Sequence, residues 1–263
     1  MLSKIGALAA TLSTASAVFT GFNYGSTNTD GSAVTLEGFT NLFTTAKNLA
    51  GTNGEFTAAR LYTMIQVSKD ELLGRDHRLT HSLQAGAQGG VISAIPAAIN
   101  TNTYLLLGLW ASAGQADMDN EIAALNAAIT QYGSAFTNLI AGISVGSEDL
   151  YRSSPTGILN LSGAGADPAT IVSYINQVRG NLTSHGVTAP ITHVDTWTAW
   201  VVEANAPVVE ACDFISMDAY PYFQNTQAND ISTGNETFYD ALDATIASAQ
   251  GKPVWVSTHL GTL

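Results

Sequence analysis

The sequence predicts an α/β fold, a (β/α)8 barrel (TIM barrel) that is C-terminally truncated after its seventh strand. Short apolar runs alternate with longer amphipathic segments seven times, as in parallel strands joined by helical crossovers. The chain has 263 residues, of which 46% are hydrophobic and 11% charged, and this suffices for one large core. The sequence GFNYGST, at the end of the first run, lacks the G-x-G-x-x-G pattern of a dinucleotide-binding sheet, which favours the barrel.

Seven apolar runs have the length and composition of buried strands. The third run reads YLLLGLW and is apolar almost throughout, as expected for a strand covered on both faces. The predicted strands are Val18–Tyr24, Thr57–Tyr62, Tyr104–Trp110, Leu139–Val145, Ile191–Asp195, Asp213–Tyr220 and Lys252–Ser257.

The segments between these strands carry apolar residues at helical spacing. The first places Phe39 and Phe43 on one face, and Asp167-Pro168 supplies a cap residue followed by proline at the first helical position. The predicted helices are Leu36–Ala50, Val91–Asn100, Ala116–Tyr132, Pro168–His185, Ala199–Val209 and Asn235–Gln250.

Residues 1–17 have the organisation of a secretory signal peptide. Lys4 precedes the apolar run Ile5–Leu12, and the segment ends in the small-x-small sequence ASA. An ordinary first helix is the alternative. We expect a secreted protein with a signal peptide (1–17), one barrel domain (18–263) and no transmembrane segment. The candidate glycosylation sites are Asn160, Asn181 and Asn235, each in an Asn-x-Ser/Thr sequence.

Charge and residue types argue against several classes of partner and chemistry. The net charge of −12 disfavours nucleic acid, whose phosphates require Lys and Arg. The five histidines show no ligand spacing and Cys212 is the only cysteine, so we predict neither a metal site nor a disulfide. Ser-His-Asp catalysis lacks its G-x-S-x-G turn. We expect a monomer without a cofactor.

The predicted strand ends are rich in aromatic and carboxylate side chains. In a barrel the functional residues follow the carboxyl ends of the strands. Flat rings pack on sugar C–H faces, and carboxylates accept hydroxyl hydrogen bonds or perform acid–base chemistry, which indicates a carbohydrate cleft. The alternative is that the tyrosines only cover the core. These residues are Asn23, Tyr24, Arg60, Tyr62, Trp110, Glu148, Asp149, Tyr151, Arg152, Asp195, Trp197, Asp218, Tyr220, Tyr222, Phe223, Ser257, Thr258 and His259.

Eight segments, in order along nearly the whole mature chain, carry a family resemblance. They are GFNYGS (21–26), ARLYTMIQ (59–66), ISAIPAAI (92–99), LLLGLWAS (105–112), ISVGSEDLYR (143–152), VDTW (194–197), SMDAYPYFQ (216–224) and KPVWVS (252–257). They resemble glycoside hydrolase family 17, specifically the fungal secreted and cell-wall endo-β-1,3-glucanases and their transglycosylating relatives. The resemblance implies a (β/α)8 barrel that cleaves β-1,3-glucan with retention.

The resemblance also implies roles for individual residues. Glu148 matches the acid/base at the end of the fourth strand. The positions that would line the glucan cleft are Tyr24, Arg60, Tyr62, Asp149, Trp197, Asp218, Tyr220 and Phe223.

One departure from the family pattern concerns the nucleophile. The family has a Glu directly after the seventh strand, whereas Thr258 occupies that position here and no Glu or Asp follows Asp243. Because a retaining glycosidase needs two carboxyl groups about 5–5.5 Å apart, we expect this chain to be inactive as written. The alternative is a non-catalytic glucan-binding protein of the cell wall.

A second departure is a charged segment, residues 67–84. It holds six of the 30 charged residues, and joining Gln66 to Ala85 restores a continuous family-like sequence. We interpret the segment as a translated intron. A genuine charged loop over the end of the barrel is the alternative.

Overall fold

The computed structural model describes residues 19–66, 90–224 and 230–259, and only the backbone of His259. The predicted signal peptide (1–17) and the charged segment (67–84) lie outside the described residues, so both remain predictions.

Among the described residues, seven parallel strands form one sheet in which each strand pairs with the next along the chain. The strands are β1 (Thr20–Tyr24), β2 (Phe56–Leu61), β3 (Tyr104–Leu109), β4 (Ile140–Ser147), β5 (Ile191–Thr196), β6 (Ile215–Ala219) and β7 (Val254–His259). They alternate with helices. The predicted fold class is confirmed, since the seven parallel strands alternate with helices in a nearly closed barrel that lacks an eighth unit among the described residues.

Contacts between the first and last strands nearly close the barrel. Asn23 in β1 donates through Nδ2 to the carbonyl oxygen of Ser257 (3.1 Å) and to the hydroxyl of Thr258 (2.7 Å), both in β7. At the amino-terminal ends of these strands, the rings of Phe19 and Trp255 lie 5.6 Å apart. The two edge strands are therefore joined through side chains.

Helices connect the strands and supply the outer layer. They are α1 (Leu36–Lys47), α2 (Ala94–Thr101), α3 (Gln115–Tyr132), α4 (Ser134–Thr137), α5 (Asp149–Ser153), α6 (Pro155–Leu159), α7 (Pro168–Ser184), α8 (Trp197–Trp200), α9 (Ala206–Ala211) and α10 (Gly234–Ser248). The cap predicted for α7 is present, since the Asp167 carboxylate accepts from Thr170 N at 2.9 Å. None of the helices within the described ranges has the length and apolar character needed to cross a membrane.

Prolines explain two differences from the predicted helices. The helix predicted from Val91 begins at Ala94, which places Pro96 in the first turn, where no hydrogen bond is lost. The helix predicted as Ala199–Val209 is broken into α8, a 3-10 turn and α9. Pro207 lies in the first turn of α9, because its ring would clash inside a continuous helix.

The main core lies between the sheet and the helices. Leu105 and Leu107 of β3 are fully buried, and so are Phe39 of α1 and Val178 of α7. Burying an apolar side chain of this size contributes about 1.5–3 kcal/mol each. This layer holds the strands in place, so that their carboxyl ends surround one face of the barrel.

Candidate active site

The carboxyl ends of the strands surround a cleft of about 230 Å³. Its lining combines aromatic rings, two carboxylates and one guanidinium group. The lining residues are Tyr62, Trp110, Ala111, Ser112, Ser147, Glu148, Arg152, Asp218 and Tyr220. The structure thus brings together, from four different strands, several residues that the sequence predicts for the site.

Glu148 stands at the turn where β4 ends and α5 begins. Its backbone is left-handed (φ 60°, ψ 22°), which is uncommon for a residue other than glycine and costs about 1–3 kcal/mol. The side chain is 25% exposed, and its Oε2 accepts from Arg152 Nη2 at 3.3 Å. Surrounding contacts must offset the strain to present this carboxylate to the cleft.

Asp149 supplies some of these contacts from beneath the turn. Its Oδ2 accepts from the backbone N–H of Ser147 (2.8 Å), and its Oδ1 accepts from the Ser112 hydroxyl (2.5 Å). Burial raises the pKa of Asp149, against the opposing effects of His193 and of the Ser112 hydrogen bond. Since Asp149 has no exposed surface, the structure favours a positioning role over the sugar contact that the resemblance implies.

Asp218 is the second carboxylate of the cleft, at the end of β6. It is only 3% exposed, and its Oδ1 lies 3.5 Å from Arg60 Nη1 and 2.9 Å from the Ser257 hydroxyl. Burial raises its pKa to about 6, although the charge of Arg60 opposes the increase. Its Oδ1 is therefore committed to partners within the protein.

Arg60 connects four strands beneath the cleft. Besides its contact with Asp218, Nη1 donates to the Thr258 hydroxyl at 2.9 Å, and Nη2 donates to the Ser147 hydroxyl at 2.8 Å. The guanidinium carbon lies 4.6 Å from the centre of the Tyr62 ring, a cation–π contact. Arg60 therefore fixes several groups that surround the cleft rather than projecting into it.

Thr258 lies where two hydrogen-bond donors converge. Arg60 Nη1 (2.9 Å) and Asn23 Nδ2 (2.7 Å) both donate to its hydroxyl oxygen. Burial, and next the charge of Asp218, raise the pKa of Tyr220 to about 12. The Tyr220 phenol therefore stays protonated near neutral pH and can donate to a ligand oxygen.

The sequence matches the family model of the BtgE/BtgC glycoside hydrolase domain over residues 84–259. The chain belongs to the BtgE/BtgC glycoside hydrolase family. Two relatives are described as probable glucan endo-1,3-beta-glucosidases, both named eglC. The one from Aspergillus fumigatus is 51% identical over 95% of this chain and 52% of its own length. The one from Aspergillus oryzae is 48% identical over 97% of this chain and 51% of its own length. This BtgE/BtgC-type chain thus spans about half the length of these relatives.

Solved structures support the fold of this BtgE/BtgC-type domain. An endo-laminarinase from Formosa Hel1_33_131 has a TM-score of 0.56 at 15% identity, over 92% of this chain and 66% of that one. The Ruminococcus gnavus beta-glucuronidase has a TM-score of 0.56 at 12% identity, over 92% of this chain and 35% of that one. At such low identity the likeness shows the fold alone.

Besides Arg60 and Asp149, three more of the predicted cleft residues do not line the cavity. Tyr24 packs edge-on against Phe43 at 5.1 Å, and burial raises its pKa. Trp197 is partly buried against the small apolar cluster around Met217. Phe223 is 64% exposed and meets the Tyr220 ring edge-on at 5.9 Å, so it lies beside the cleft.

Asn23 is among the candidate residues at the strand ends but not among the positions expected to line the cleft. In the β1–β2 register, Asn23 is opposite Arg60 and Tyr24 is opposite Leu61. Because opposite residues share a face, an inward Arg60 requires an inward Asn23 and an outward Tyr24. The structure reveals this register but the sequence does not specify it, so no sequence signal selected Asn23 over Tyr24.

The remaining candidate residues lie outside the cleft. Asn160 follows α6 and donates to the Tyr151 hydroxyl at 3.2 Å, whereas Asn181 lies within α7 and Asn235 within the first turn of α10. Their glycosylation stays a prediction. Within the described part of the chain, no three His, Cys, Asp or Glu side chains come together as a metal site would require.

Proposed function

We propose that the cleft binds β-1,3-glucan and that Glu148 is the acid/base of a retaining glycosidase site of the family 17 type. The observation that carries the proposal is the position of Glu148, a partly exposed carboxylate at the end of β4 within an aromatic cleft. The eglC relatives, which are described as probable glucan endo-1,3-beta-glucosidases, support the choice of polymer.

The proposed chemistry assigns distinct tasks to the cleft residues. In a retaining site, the protonated acid gives its proton to the glycosidic oxygen while a carboxylate nucleophile bonds to the anomeric carbon and displaces the leaving sugar. Glu148 is the proposed acid, and the cleavage step therefore requires a carboxylate at position 258. The rings of Tyr62, Trp110 and Tyr220 pack against the sugar faces and exclude water. Arg152, beside Glu148, stabilises the carboxylate that remains after proton transfer.

The nucleophile position is occupied by Thr258 in this proposal. Asp218 does not replace the missing carboxylate, because it is 3% exposed and already bonded to Arg60 and Ser257. Removing a covalent catalyst leaves only a small part of the rate. We therefore propose that this 263-residue chain binds glucan without turning it over.

The alternative proposal is a non-catalytic glucan-binding protein of the cell wall. The favouring observation is that Thr258 has its own hydrogen-bond partners, Arg60 and Asn23, and is accommodated without an unpaired group. Both proposals place the protein outside the cell, as a monomer that acts without a cofactor or nucleic acid. They differ in whether Thr258→Glu creates a working nucleophile.

Calorimetric titration with a β-1,3-linked glucan oligosaccharide tests the binding proposal. We expect the chain to bind, and we expect Tyr220→Ala to weaken binding on the order of tenfold, since it removes one ring from the cleft. Tyr239→Ala is the matched control, because Tyr239 is 60% exposed on α10 and does not line the cleft. Failure to bind this oligosaccharide, or equal effects of the two variants, would contradict the proposal.

A further inference from the structure

A fully buried histidine and aspartate lie beneath the Glu148 turn. His193 and Asp195, both in β5, have no exposed surface, and His193 Nε2 lies 2.9 Å from Asp195 Oδ2. His193 Nδ1 lies 2.7 Å from the carbonyl oxygen of Val145 in β4. The Trp200 ring packs edge-on against the imidazole at 5.8 Å.

The hydrogen-bond partners specify where the protons are. A carbonyl oxygen only accepts, so His193 Nδ1 must carry a hydrogen. Asp195 accepts backbone N–H groups on both oxygens, from Leu150 to Oδ2 (2.8 Å) and from Thr196 to Oδ1 (2.7 Å). Such bonds favour the ionised carboxylate, so Nε2 must donate as well and the ring is an imidazolium.

The charges around the ring agree with this proton count. Burial alone would lower the pKa of His193, but the hydrogen bond and charge of Asp195, the charge of Asp149 and the Val145 carbonyl together raise it. Cys212 bonds the backbone of His193 and the side chain of Thr192. The positive ring therefore faces two carboxylates.

This buried pair is bonded to the chain on both sides of Glu148. His193 bonds Val145, which lies before the turn, while Asp195 bonds the Leu150 and Tyr151 amides at the start of α5. Glu148 is the residue preceding α5, and its side chain makes no capping hydrogen bond. Asp195 thus supplies the capping contact that the residue before a helix normally makes, which leaves the Glu148 carboxylate free to face the cleft.

We propose that His193 is a positioning residue which, as an imidazolium paired with Asp195, holds the Glu148 turn in its left-handed conformation. The kinetic consequence rests on the proposed function of Glu148. The charge state of His193 and its contacts with the turn do not depend on that proposed function, so they are tested separately.

The charge state is tested by nitrogen NMR of the unmodified chain labelled at histidine. We expect both ring nitrogens of His193 to be protonated at about pH 7, and the same signals to be present in the His185→Gln control, which removes an exposed imidazole. One unprotonated ring nitrogen on His193 at that pH would overturn the proposal.

The positioning role is tested with His193→Gln, which cannot carry the charge. We expect the amide hydrogen of Leu150 to exchange with solvent faster, on the order of tenfold or more, because its hydrogen bond to a charged group is weakened. In the control His185→Gln, the exchange rate of Leu150 should not change. An unchanged exchange rate of the Leu150 amide in His193→Gln would overturn the positioning role.

In a Thr258→Glu background that cleaves glucan, His193→Gln should lower kcat and leave KM unchanged. If that background is inactive while the exchange result holds, the proposed function fails and this inference stands.

Discussion

Arg60 shows how much of this cleft depends on one buried side chain. Its guanidinium contacts Asp218, Thr258 and Ser147, which belong to three other strands. Its contact with Asp218 is a buried ion pair, with side chains 5% and 3% exposed. Removing one partner of such a pair leaves a charge in the interior without compensation.

We therefore expect Arg60→Met to lower the free energy of unfolding by about 3–5 kcal/mol near neutral pH. The loss should be smaller at acidic pH, because Asp218 can then bind a proton. Urea unfolding at several pH values measures both effects. Arg179→Met is the control, since its ion pair with Asp213 is largely exposed and should contribute about 0–1 kcal/mol. Equal losses in the two variants would contradict the role of Arg60.

Single positions also mark the limit of prediction from the sequence. The meeting of Tyr62, Glu148, Asp218 and Tyr220 at one cleft was predictable, because strand ends in a barrel converge on one face. Which of two neighbours points inward depends on strand register, and a run such as GFNYGS does not specify it. The burial of the Asp149 carboxylate was not predictable from its place after Glu148 either, because it depends on the contacts that Asp149, at the start of α5, makes with Ser112 and Ser147.

At the scale of elements, the β4–α5 turn requires glycine at position 146. Gly146 has a φ of 85°, and a Cβ there would overlap the Asp149 carboxylate and crowd His193. Both the backbone conformation and the space exclude a larger residue. This turn determines where Glu148 points.

We expect Gly146→Ala to lower the free energy of unfolding by more than about 1 kcal/mol, because the native conformation is incompatible with a side chain. Gly180→Ala, at an exposed and open position within α7, should instead stabilise the protein by up to about 1 kcal/mol. Denaturant unfolding of the two variants gives the comparison, and the same sign of change for both would argue against this account of the turn.

Helix α3 is tied to the segment after β2 by a buried carboxyl group. Glu121 is 1% exposed and bonds the Thr63 hydroxyl (2.5 Å) and the Met64 N–H (2.7 Å). Burial raises its pKa from an ordinary value of 4.5 to about 8, so the folded protein holds a proton that the unfolded chain has lost. The stabilising contribution of this proton is complete below about pH 4.5 and is lost as the pH rises through about 8.

Glu121→Gln should remove this pH dependence, because the amide resembles the protonated acid and cannot ionise. We expect the variant to match the unmodified protein at about pH 4.5 and to exceed it in stability, by an amount that grows up to about pH 8. Thermal unfolding of both proteins between about pH 4.5 and pH 8 measures this difference in stability. A difference between the two proteins that does not change with pH would contradict the shifted pKa.

At the scale of the whole molecule, the fold class was the most predictable feature. Repeated alternation of strands and helices requires parallel strands with helical crossovers, and these place the strand ends on one face. The near closure of the barrel between β1 and β7 was less predictable, because the contact between Asn23 and Thr258 joins residues 235 positions apart. Asn23 thereby joins Arg60 as a second donor to the Thr258 hydroxyl, and no local pattern could indicate it.

We propose that this cleft is a glycosidase site in which Thr258 replaces the nucleophile. The most direct test is the release of reducing ends from β-1,3-glucan by the unmodified chain, by Thr258→Glu and by Thr258→Glu combined with Glu148→Gln. We predict no release by the unmodified chain, release by Thr258→Glu, and loss of that release when Glu148 is also replaced. Cleavage by the unmodified chain, or cleavage that survives Glu148→Gln, would contradict the account.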